Sequence, residues 1–141
     1  MRRFIWPGLG LLLTGVMALH AGAQQPTPRP AVASLEEPRA NPVLPAVLVP
    51  FTIAPELCRQ GHTPRVDLRV YNSLTQPVAV LRLRERSSVV LDSVPLKCGE
   101  HVALWDGTVE SGTRAASPGL YRFRLSVDGT SFAKILIITP P

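Results

Sequence analysis

Helical periodicity is missing from this chain of 141 residues. No stretch carries apolar side chains at the 3.6-residue spacing of an amphipathic helix, so short strands are left as the building material. Cysteine is almost absent. Cys58 and Cys98 are the only two, which allows one bridge with one connectivity. Histidine is as scarce: beyond His20 there are only His62 and His101, at no metal-ligand spacing, and a bridged cysteine pair leaves no thiolate to complete a zinc site. No G-x-S-x-G elbow occurs, and Glu110-Ser111-Gly112 reads as a surface turn. Asp106, Glu110 and Asp128 lack the alternating oxygen pattern of a calcium loop. These absences argue against catalysis, a metal and a cofactor.

Long hydrophobic runs are also lacking, with one exception. Phe4 to Leu19 is an apolar stretch of 16 residues, interrupted by Pro7, Gly8, Gly10 and Gly15. It follows Arg2 and Arg3 and precedes Ala21-Gly22-Ala23, the charged, apolar and small-residue order of a signal peptide over residues 1–23. A retained membrane anchor is the alternative, but such a helix would reach only about 24 Å across a bilayer core of roughly 30 Å. Cleavage before Gln24 is therefore expected, with no membrane insertion afterwards. Loss of Arg2 and Arg3 lowers the Lys and Arg count from 15 to 13 against 10 Asp and Glu, and the net charge from +5 to +3. That modest balance does not single out nucleic acid. Export would place Cys58 and Cys98 where a disulfide persists. Closing a loop of that length stabilises a small domain by about 4 kcal/mol.

Residues 24–46 hold six prolines and read as a polyproline-II-like linker. The folded part is expected over residues 47–139, as an all-β, immunoglobulin-like sandwich of about seven short antiparallel strands. Val47–Ile53 contains Pro50, which fits an edge strand or a bulge. Arg65–Tyr71 alternates Val66, Leu68 and Val70 with Asp67 and Arg69. After a turn at 72–76, Val78–Arg84 alternates Ala79, Leu81 and Leu83 with Val80, Arg82 and Arg84. Ser88–Val94 offers another strand. His101–Trp105 leads into Asp106-Gly107, a turn signal.

The organising stretch is Leu104 to Leu125. It re-enters a strand through Pro118-Gly119 and places Tyr121, Phe123, Leu125 and Val127 opposite Arg122, Arg124 and Ser126. Asp128-Gly129 is the clearest hairpin turn. Beyond it, a strand is expected over Phe132–Thr139, whose unbroken apolar end Ile135-Leu136-Ile137-Ile138 predicts that it is well covered by its neighbours. The cysteines fall at strand ends, so their bridge should pin loops rather than cross the centre of the core.

Two segments resemble a known family. Val70, Tyr71 and Asn72 fit the pattern V-x-L-x-V-Y-N/D-x-x-G-x-x-V. Trp105, Asp106, Gly107, Gly112, Gly119, Tyr121, Phe123 and Leu125 fit W-D-G-x-x-x-x-G-x-x-x-x-x-G-x-Y-x-Y/F-x-L. Both are similar to the immunoglobulin-like domain of the flagellar hook-capping protein and to related C-terminal modules of secreted bacterial proteins. The chain departs from the family at Gln76, near the usual turn glycine, and in its cysteine pair. The resemblance implies a structural or adhesive module, working through another envelope or secreted protein.

One face invites a different reading. Arg69, Arg82, Arg84, Arg122 and Arg124 all alternate with apolar residues. If neighbouring strands gather them, they form a basic plate for an anionic surface polymer or an acidic partner. That role requires them to be left unpaired by Asp67 and Glu85. Its outward positions are read as arginine and serine, with no aromatic residue for stacking bases, which argues against nucleic acid.

Overall fold

The computed structural model describes residues 10, 31–40 and 46–138. The expected signal peptide at 1–23 and parts of the expected linker lie outside the described residues or, at Gly10, carry no regular structure. The chain forms an all-β sandwich. Its elements in order are β1 (Ala33–Leu35), β2 (Arg39–Ala40), β3 (Val47–Ile53), a short 3-10 segment (Pro55–Gly61), β4 (Arg65–Tyr71), β5 (Pro77–Val80) and β6 (Arg82–Leu83). There follow β7 (Val94–Pro95), β8 (Gly99–Trp105), β9 (Thr108–Val109), β10 (Arg114–Ala115), β11 (Gly119–Val127) and β12 (Thr130–Ile138).

One sheet runs β1-β3-β8-β6, with β2 also on β3; the second runs β12-β11-β4-β5, with β7 also on β4. All pairs are antiparallel, and β9 and β10 make a separate ribbon. Alternation decides which side of each strand is buried. Val49, Phe51, Ile53, Ala103 and Trp105 from the first sheet meet Val66, Leu68, Val70, Tyr121, Phe123, Leu125 and Val127 from the second in one core. Trp105 joins the layers, edge-on to Phe123 at 5.6 Å and tilted against Tyr121 at 5.5 Å. Its indole N–H donates to the Thr108 carbonyl and the Tyr121 hydroxyl donates to the Ser117 carbonyl, so neither aromatic buries an unmet polar group.

Four expectations need correction. The folded part starts before Val47, because Ala33–Leu35 pairs with Phe51–Ile53 and buries Ala33 and Leu35. The proline-free window Ser34–Glu37 keeps the amide donors a strand requires. β3 is an interior strand despite Pro50. The Pro50 carbonyl accepts the Glu36 amide, so its missing N–H faces the place where β3 changes partner from β1 to β2.

Ser88–Val94 is not a continuous strand. Its ladder pairing is limited to the single bridge Arg82–Val90 and to Val94; between them Leu91 turns into the core, its amide donating to Leu81 and its carbonyl accepting from Leu68. The run at 135–138 belongs to β12, the outer strand of its sheet, with Ile135 49% and Ile137 66% exposed. The expected end of that strand at Thr139 lies outside the described residues.

Candidate interaction surface

The stretch read as one strand over 78–84 changes sheet midway. β5 pairs with β4 of the second sheet, and β6 pairs with β8 of the first. Leu81 makes the crossing, donating its amide to Leu68 and accepting that of Leu91. The five arginines are therefore parted. Arg82 stands beside Leu104 and the Arg84 amide donates to Val102, both on the first sheet. Arg69, Arg122 and Arg124 share the outer face of the second sheet, with Arg124 opposite Arg69 and Arg122 opposite Tyr71.

These three differ in what holds them. Arg69 donates to Asp92 and, at 3.4 Å, to Asp67. Arg124 lies over the Tyr71 ring, 5.6 Å from its centre, a cation–π contact. Neither Arg122 nor Arg124 has a carboxylate partner among the described residues. Sequence reading missed Tyr71 as an outward residue of this face. Strict alternation from Val66, Leu68 and Val70 carried the signal, since the next residue must point the other way.

Apolar residues extend the face toward the sheet edge. Leu120 lies opposite Ile137, Arg122 opposite Ile135 and Arg124 opposite Ala133. Exposed Leu120, Ile135 and Ile137 thus border two cations with no carboxylate partner. At the other edge of the second sheet a cleft of about 500 Å³ opens beside β5, lined in part by Arg69, Arg82, Trp105, Asp106 and Thr108. Of its cations, Arg69 is paired with Asp92, while Arg82 donates to the Ser87 carbonyl. The Thr108 hydroxyl and amide hold the Asp106 carboxyl below its ordinary pKa against the opposing effect of burial.

The remaining motif residues shape turns and core. Val70, Phe123 and Leu125 are fully buried. The Asn72 carboxamide oxygen accepts the amides of Leu74 and Gln76, closing the turn whose left-handed residue is Thr75 at φ 61°. Asp106 accepts the Thr108 amide across Gly107, which takes a φ of 77°. Gly112 closes the β9–β10 turn and Gly119 opens β11.

Cys58 and Cys98 form a disulfide with Cα atoms 6.0 Å apart. It ties the 3-10 segment after β3 to the start of β8 and so pins strand ends. The histidines are held separately. His62 meets Asp128 at 2.7 Å, while His101 reaches the Lys97 carbonyl and stacks on Phe51. No helix among the described residues is long and apolar enough to cross a membrane.

No family model, curated protein or solved structure matches this chain.

Proposed function

We propose that this protein is an exported, non-catalytic interaction module of the bacterial envelope or cell surface, with an immunoglobulin-like sandwich of the hook-capping type. It binds another envelope or secreted protein. The observation that carries this reading is the outer face of β11 and β12, where exposed Leu120, Ile135 and Ile137 border Arg122 and Arg124. An apolar patch rimmed by polar groups is the common form of a protein contact site. The disulfide fits an oxidising compartment, and the leader-like segment at 1–23 fits the export that leads there.

The anionic-polymer alternative retains one supporting observation, the missing carboxylate partners of Arg122 and Arg124. It is weakened by the separation of Arg82 and Arg84 from that pair. Affinity capture from an envelope extract tests the two readings. The chain is compared with a variant in which Arg82, Arg84, Arg122 and Arg124 are serine. A specific protein that co-purifies with wild type, and reciprocally captures it, supports the interaction module. Retention only of anionic polymer, abolished by salt and by the variant, supports the alternative.

A further inference from the structure

The free edge of β12 suits a particular kind of partner. β11 and β12 are joined by Asp128-Gly129, both at positive φ, in a two-residue hairpin whose flanking pair is Val127–Thr130. That register aims the backbone groups of Thr130, Phe132, Lys134, Leu136 and Ile138 at β11. Those of Ser131, Ala133, Ile135 and Ile137 point away from the sheet. No hydrogen bond to these four groups is made by any other described residue.

Other sheet edges are short. β1 has three residues, β6 two and β5 four, beginning with Pro77. β12 has nine and contains neither proline nor an outward charge. Its one charged residue, Lys134, points inward and is paired with Glu37 at 3.0 Å. Proline, a bulge and an outward charge are thus missing from this edge, and the one protective device present, the inward Lys134, has its charge matched by Glu37.

Resting on the interaction reading above, we infer that β12 is completed by an extended, acidic–apolar strand of a partner protein. The added strand hydrogen-bonds to Ser131, Ala133, Ile135 and Ile137, an instance of strand addition to a sheet edge. Neighbouring strands lie about 4.8 Å apart, so Arg122 and Arg124 stand two spacings, roughly 10 Å, from the added backbone. Their long side chains can cross that gap once Arg124 swings off the Tyr71 ring of β4, which lies on the opposite side of β11; the small side chain of Ala133 leaves it a path. Carboxylates on the added strand beside Ala133 and Ile135 meet these guanidiniums, and an apolar side chain beside Ile137 covers the isoleucine. Charge selects this occupant over a second copy of the chain. Another β12 would present only Ser131, Ala133, Ile135 and Ile137 on that face, leaving Arg122 and Arg124 without carboxylates.

The probe is a short fluorescent peptide alternating threonine with glutamate and isoleucine, with a lysine-for-glutamate peptide as control. Anisotropy is measured on the full chain. Binding of the glutamate peptide alone is expected. Ile135→Pro should abolish it, because the Ile135 amide faces outward and its loss spares the bonds to β11. Replacing Arg122 and Arg124 with Ser should weaken it by about tenfold or more. Circular dichroism checks folding, and Ala133→Pro, which removes another outward-facing amide, serves if the Ile135→Pro variant fails to fold. No binding, or binding unaffected by these changes, overturns the inference. So does a concentration-dependent dimer abolished by Ile135→Pro, which makes a second copy the occupant. A protein captured equally well by wild type and Ile135→Pro overturns the edge assignment while leaving the interaction module standing.

Discussion

Arg69 and Arg124 stand directly opposite each other on β4 and β11, two like charges at one cross-strand position. Such a pair is unfavourable by itself. It is accommodated because the two side chains take different partners. Arg69 is matched by Asp92 and Asp67, whereas Arg124 lies over Tyr71. One arginine is therefore neutralised within the fold, and the other has no carboxylate partner among the described residues.

Replacing Asp92 with Asn should expose this relationship. Arg69 would lose its nearer carboxylate, and its repulsion with Arg124 would grow. The ion pair is partly exposed, so the expected loss is modest, about 0.5–1 kcal/mol by urea unfolding. Adding Arg124→Ser should recover part of that loss. Equal losses with and without Arg124 would contradict the coupling.

Phe123 is fully buried and packs edge-on against Trp105 between the sheets. Phe123→Ala should destabilise the protein by about 3–5 kcal/mol, read from the denaturation midpoint. The adjacent outward change Arg122→Ser should cost far less, since that side chain has no packing role in the core.

Tyr121, Phe123, Leu125 and Val127 were readable as core because strict alternation leaves only one buried face. The same logic failed in three places. At 135–138 an apolar residue fills every position, and such a run fits equally a covered central strand or an edge whose outer face meets a partner. At 78–84 the alternation continues unbroken through Leu81 while the chain changes sheet, so nothing in the pattern separated Arg82 and Arg84 from Arg122 and Arg124. Pro50 suggested an edge because sequence alone does not reveal that its missing N–H falls in the gap between β1 and β2. Tyr71 was legible by alternation and was overlooked.

The disulfide is expected to contribute about 4 kcal/mol through the loop it closes, 40 residues in sequence separation. Mutation of Cys58 and Cys98 to Ser should lower the urea midpoint accordingly without altering the strand signal in circular dichroism. The native protein should show no thiol available to alkylation before reduction. Intact mass after export should correspond to a chain beginning at Gln24.

Asp128 gives a pH dependence. The side-chain bond from His62, then the Arg65 amide, hold its carboxyl below the ordinary value of 3.8, against a smaller effect of burial. A carboxylate with a depressed folded pKa stabilises the native state above its unfolded pKa. That contribution is lost as pH falls through the folded value. Stability should therefore decline from about pH 5 downward. Asp128→Asn should flatten the decline, while Asn-Gly preserves the hairpin turn. A variant as acid-sensitive as wild type would contradict the assignment.

An edge of β12 open to an added strand should be visible in residue-resolved amide exchange. In the free protein, Phe132, Lys134 and Leu136 should exchange slowly while Ser131, Ala133, Ile135 and Ile137 exchange fast. Adding the glutamate–isoleucine peptide should protect the second set with little change in the first. Protection of both sets without peptide, or fast exchange at Ala133 and Ile135 with the peptide bound, would contradict it.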